Sequence, residues 1–166
     1  WVSKLWSRGN RGQWVPQIVP YHPDFMKAIS MINDGMPGKP ENMYWDHLIV
    51  DEGQDFPKEF YIFLTFLRHQ KNILNGRKMP GVTVFADDNQ RMDPKKNSRI
   101  RDIENSMPEA KKYKVTVNYR NSGPIARLAN HFCIDMETGK SDESKSSKGL
   151  MPILRKFQTL DDEAAS

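Results

Sequence analysis

An α/β fold, with a parallel sheet flanked by helices, is what the chain predicts, and three observations carry the expectation. Three short apolar runs, His47 to Val50, Val82 to Ala86 and Tyr113 to Val117, alternate with segments of helical periodicity. Read as unbroken apolar strands, they imply a sheet covered on both faces. Each run ends in a polar cluster: Asp51-Glu52-Gly53-Gln54-Asp55, then Asp87-Asp88-Asn89-Gln90, then Asn118-Tyr119-Arg120-Asn121-Ser122. In sheets of this kind, ligands bind beyond the carboxyl ends of the strands.

Residues 1 to 23 carry three tryptophans (1, 6, 14) and Pro16, Pro20 and Pro23. Val2 to Trp6 reads as the tail of a helix and the rest as loop. Asp24 is placed to cap a helix over Phe25 to Ile32, whose apolar positions 25, 26, 29 and 32 share one face. Gly35 to Pro40 is a loop. Pro57 opens a long helix with Phe60, Phe63, Leu64 and Leu67 on one side, and Asn75-Gly76 ends it. After the second strand come a polar loop, Asp93 to Asn97, and a helix from about Ser98 to Ser106. Ser122 is the expected N-cap of the helix around Ile125, with Pro124 tolerated in its first turn. Gly139 to Gly149 reads as a mobile Ser/Lys-rich stretch, and Met151 to Phe157 as one more strand.

The chain has 166 residues, 37% apolar and 28% charged, enough for a real core. A net charge of +4 permits a polyanionic partner without demanding one. The basic excess sits between Arg91 and Lys114 (91, 95, 96, 99, 101, 111, 112, 114), interleaved with acids 93, 102, 104 and 109, which reads as a solvated face. Cys133 is alone, so no intrachain disulfide forms and a reducing compartment fits. The histidines at 22, 47, 69 and 131 have no ligand spacing with cysteine, which argues against structural zinc. No apolar run has the length of a membrane span and no signal-peptide pattern opens the chain, so a cytoplasmic or nucleoid-associated location is expected.

Two adjacent carboxylates at the end of a strand suit a site that holds Mg²⁺ and positions water against a phosphate. In order and spacing, VDEGQD, FADDNQ and NYRNS followed by IARLAN resemble motifs II, III and IV of superfamily 1 helicases, the UvrD/Rep-like branch. The resemblance covers roughly residues 45 to 132. It implies a partial RecA-like P-loop NTPase fold: 1–110 would be the C-terminal part of a first, ATP-binding lobe and 111–166 the start of a second.

It also implies roles. Asp51 would associate with Mg²⁺, with Glu52 beside it orienting or deprotonating the attacking water. Gln54 and Asp55 would link the site to neighbouring loops, although Asp55 also reads as a helix cap before Phe56-Pro57. Asp87 and Gln90 match the third motif, where a neutral amide senses the γ-phosphate. Tyr119 would stack on adenine, and Arg120 would reach the γ-phosphate from the second lobe. Two departures stand out: Ala86 replaces a common glycine, and Arg91-Met92-Asp93 stands where the family often has a base-stacking aromatic residue.

No Gly-x-x-x-x-Gly-Lys-Ser/Thr loop occurs in the chain. With Trp1 in place of a starting Met, the expectation is an excised fragment of an ATP-dependent DNA or RNA helicase or translocase, inactive alone. ATP and Mg²⁺ would be its cofactors in the complete protein. Its expected partners are single-stranded or duplex DNA, RNA, the remainder of the helicase polypeptide, and a second copy through an exposed sheet edge. Two alternatives belong to other classes. One is a non-catalytic interaction module that keeps helicase-like remnants. The other is a metal-dependent nuclease using Asp51, Glu52, Asp87 and Asp88.

Overall fold

The computed structural model describes residues 1–93, 95–115, 121–132 and 148–153. The chain divides into two compact units, Trp1–Lys111 and Lys112–Ser166.

The first unit opens with helix α1 (Val2–Gly9), which buries Leu5 and Trp6 and runs a turn further than the sequence suggests. A small antiparallel hairpin, β1 (Gln17–Val19) and β2 (His22–Pro23), then stands where a loop is expected. Ile18-Val19 supplies the β-branched strand, and Tyr21 takes the positive φ (67°) that closes so short a turn. Helix α2 (Phe25–Asn33) begins as expected, with the Asp24 carboxylate accepting from the Lys27 amide at 2.9 Å.

Strands β3 (His47–Val50) and β4 (Gly81–Val84) form a parallel ladder in the register His47↔Gly81, Leu48↔Val82, Ile49↔Thr83, Val50↔Val84. Between them lie α3 (Lys58–His69) and α4 (Lys71–Leu74). The single long helix expected here is interrupted at Gln70, whose extended backbone (ψ 115°) separates the two. Asn75 (φ 45°) and Gly76 (φ 78°), both left-handed, terminate the second. Helix α5 (Ile100–Ser106) follows, two residues shorter at its start than expected.

Period-two geometry sorts the sheet's side chains. Val50 belongs to the core and Leu48, Val82 and Val84 pack against it, whereas Ile49 is 65% and Phe85 56% exposed. The sheet is therefore mixed with helices as an α/β arrangement, but its second face is open rather than covered. The core itself is aromatic. Phe25 lies 5.7 Å from Phe60 and 5.5 Å from Phe63, and Phe56 stacks on Phe60 at 4.6 Å. Arg68 Nε donates to the Pro80 carbonyl (2.9 Å) and Thr65 Oγ1 to the Ser106 carbonyl (2.7 Å), which hold α3 against the start of β4 and the end of α5.

In the second unit, α6 (Gly123–Asn130) starts after Ser122 and carries Pro124 in its first turn, although the Ser122 side chain makes no capping hydrogen bond. The third expected strand is not formed over its described part: residues 113–115 have no strand pairing, and Tyr113 (83%) and Val115 (86%) are exposed. Alternating Lys114 between these apolar residues makes the run less apolar than a doubly covered strand requires. Residues 151–153 likewise form no strand, and Met151 and Ile153 are exposed. The remainder of those two runs, Cys133 and most of the Ser/Lys-rich stretch lie outside the described residues. No described helix is long and apolar enough to cross a membrane.

Candidate functional site

Because β3 and β4 are parallel and in register, the residues that follow Val50 and Val84 emerge side by side. The Phe85 amide donates to the Val50 carbonyl at 2.8 Å, and the Gly53 amide donates to the Phe85 carbonyl at 2.7 Å. The two loops are thus joined by backbone as soon as the strands end.

Glu52 stands in the left-handed region at φ 49°, ψ 48°, a conformation that costs a non-glycine residue about 1–3 kcal/mol. Its amide donates to Asp51 Oδ1 at 3.0 Å. Gly53 follows and is buried; a Cβ there would collide with the Val84 side chain, the Tyr61 hydroxyl and the Phe85 carbonyl. The tight turn lifts the carboxylates of Asp51 and Glu52 to the surface, where both are exposed.

Gln54 is the buried link, only 1% exposed. Its Nε2 donates to Glu52 Oε2 at 2.7 Å, and its Oε1 accepts from the Asp87 amide at 3.0 Å. One neutral amide thereby spans the two loops, with its donor end on the carboxylate and its acceptor end on the backbone. Asp87 in turn organises its own turn: one oxygen accepts from the Asn89 amide (2.9 Å), the other from Gln90 Nε2 (3.0 Å). Glu52, Gln54, Asp87 and Gln90 form one continuous hydrogen-bonded series.

Further contacts fasten the outer loop. Asp88, 3% exposed, accepts from the Ile100 amide at 2.8 Å and so supports the start of α5. Ser98 donates to the Phe56 carbonyl through both its hydroxyl (2.6 Å) and its amide (3.0 Å). Asn97 Nδ2 donates to Asp55 Oδ1 at 3.2 Å. Asp55 therefore bridges two loops and is not a helix cap; Pro57 occupies the N-cap position of α3.

The structure brings together Asp51, Glu52, Gln54, Asp87 and Gln90 at one end of the sheet. Tyr119 and Arg120 lie outside the described residues. Among the described residues, no group of three or more His, Cys, Asp or Glu side chains is arranged to hold a metal ion. Asp51 and Glu52 offer exposed carboxylates of the kind Mg²⁺ uses one or two at a time, with phosphate oxygens and water completing its shell. The four-carboxylate set of a nuclease is not formed, since Asp88 is buried and committed to the Ile100 amide.

Two residues of this neighbourhood escape motif reading. Gly53 is required by close packing, and Tyr61 donates its buried hydroxyl to the Gly53 carbonyl from helix α3. Burial pushes the Tyr61 phenol above its ordinary range, and the Asp55 carboxylate adds to the effect. A helical signal for Tyr61 existed, because it lies three residues before Leu64 on the buried side of α3. No protein-family model matches the chain, and no curated protein matches it in sequence.

Proposed function

We propose that this chain supplies the water-activating and γ-phosphate-sensing loops of an ATP-hydrolysing nucleic-acid motor of the superfamily 1 helicase type. The observation that carries the reading is the Gln54 bridge between the Glu52 carboxylate and the Asp87 amide. A general base needs a fixed position relative to the phosphate it serves, and a sensing amide needs to move with it. A hydrogen-bonded series running from Glu52 through Gln54 and Asp87 to Gln90 meets both needs at once.

In this reading Asp51 holds Mg²⁺ through water, Glu52 accepts the proton of the attacking water, and Gln90 contacts the γ-phosphate. ATP and Mg²⁺ are the cofactors, and DNA or RNA is the track. Hydrolysis in this reading also needs a phosphate-cradling loop, and no Gly-x-x-x-x-Gly-Lys-Ser/Thr motif occurs among these 166 residues. Tyr119 and Arg120 belong to the proposal through the sequence resemblance alone.

The test is ATP hydrolysis, with and without single-stranded DNA, by a polypeptide that carries both this chain and a phosphate-binding loop. DNA-stimulated hydrolysis that Glu52→Gln lowers by roughly 10²- to 10⁴-fold is the expected result. A folded Glu52→Gln variant that hydrolyses ATP at the parent rate sinks the assignment.

A further inference from the structure

The strained turn at Glu52 is fastened at the two peptide planes that follow it. The plane between Glu52 and Gly53 is held twice: the Glu52 carbonyl accepts from the Asp55 amide at 2.9 Å, and the Gly53 amide donates to the Phe85 carbonyl at 2.7 Å. The plane between Gly53 and Gln54 has less support from the backbone. Its carbonyl accepts from the Phe56 amide at 3.3 Å, a long bond, and from the Tyr61 hydroxyl at 2.5 Å, a short one. Gly53 has no side chain to brace it and is the residue type with most freedom to relax. Tyr61 is thus the main fastening of the plane from which the Gln54 side chain departs to join Glu52 and Asp87.

The hydroxyl is placed by a helix and not by a loop. Tyr61 stands in the first turn of α3, fully buried, with its ring centre 5.2 Å from that of Phe60. Farther along the same helix, Thr65 and Arg68 tie α3 to the Ser106 and Pro80 carbonyls. Burial disfavours the ionised phenol, so the hydroxyl remains a donor. A non-glycine residue stays in the left-handed region only where its surroundings over-determine it. Loss of the hydroxyl leaves Glu52 free to relax, and a shift of about 1 Å at a catalytic group can cost roughly a hundredfold in rate.

We infer that Tyr61 is a positioning residue for hydrolysis: through the Gly53 carbonyl it holds the Gln54 plane, and with it the Glu52 carboxylate, in place against the attacking water. The inference rests on the reading of Glu52 as the group that activates water. It adds to the strand-end clusters a residue that none of them contains.

Tyr61→Phe removes the hydroxyl and keeps the ring. In the 166-residue chain, NMR should show the Gly53 amide exchanging its hydrogen roughly tenfold faster or more in this variant. Thr65→Val deletes a hydroxyl hydrogen bond from the same helix to a distant carbonyl, and should leave that rate within about twofold. In a polypeptide that also carries a phosphate-binding loop, Tyr61→Phe should lower kcat for ATP by roughly ten- to a hundredfold with KM changed by less than about threefold, whereas Thr65→Val should alter neither. Because Tyr61 acts through Glu52, adding Tyr61→Phe to Glu52→Gln should change the residual rate by less than about twofold. Unchanged exchange at Gly53, a parent kcat in Tyr61→Phe where Glu52→Gln is impaired, or effects of the two substitutions that simply multiply would each overturn the inference. A parent rate in Glu52→Gln is the distinct result that removes the water-activation reading, and this inference with it.

Discussion

Glu52 takes up a left-handed backbone, and the residues around it hold that conformation in place. Gly53 lets two chain segments meet without a side chain between them, and Tyr61 closes the turn from below through its hydroxyl. The phenol is buried, so its ionised form is disfavoured in the folded state. The sign follows from linkage. A phenol whose folded value is raised keeps its full stabilising contribution below the unfolded value near 10. Stability then falls as pH climbs above that value, by up to about 1.4 kcal/mol per pH unit. Tyr61→Phe removes the hydrogen bond and should cost about 1–2 kcal/mol at pH 8. Urea unfolding from pH 8 to 11 should show the wild-type advantage shrinking above pH 10; a difference that stays constant with pH would contradict the assignment. Motif reading named Glu52 and Gln54 because chemistry restricts those positions to few residue types. It passed over Tyr61, whose role arises only when α3 packs beneath the loop.

The elements were legible wherever a local signal coincides with the tertiary one. Asp24 caps α2 with the hydrogen bond its residue type suggests, and Asn75-Gly76 stops α4 at the predicted place. The break at Gln70 was not legible, since nothing in Gln70-Lys71 disfavours helix locally. The hairpin β1–β2 was obscured by its prolines. The expected third strand failed over 113–115, where polar residues alternate with apolar ones and the latter are exposed. Between elements, the buried Asp88 carboxylate does what no local pattern announces: it supports α5 from twelve residues away. Asp88→Ala should cost about 1–3 kcal/mol by leaving the Ile100 amide without its partner. Chemical denaturation against wild type would measure it. A change below about 0.5 kcal/mol would show that this hydrogen bond carries little weight.

At the scale of the molecule, the hydrophobic cluster runs from Leu5 to Met107 and so falls entirely inside the first compact unit. A chain ending at Lys111 should therefore retain one cooperative unfolding transition. Loss of cooperativity by circular dichroism would show that the core depends on later residues. Within that unit the parallel pair β3–β4 serves as an axis, with carboxylates and amides at its carboxyl end. The ordering of polar groups there was readable from the polar clusters that follow the apolar runs, whereas the support that α3 gives them was not. Tyr61 meets Gly53 only through the fold.

Gln54 is the residue on which the functional account turns, because its side chain joins the Glu52 carboxylate to the Asp87 loop. The decisive measurement is steady-state ATP hydrolysis by Gln54→Ala in a polypeptide that also carries a phosphate-binding loop. A fall in kcat of roughly tenfold or more, with KM for ATP changed by less than about threefold, is the predicted result, because a misplaced base slows chemistry more than binding. An unchanged kcat in a folded Gln54→Ala protein would contradict the account.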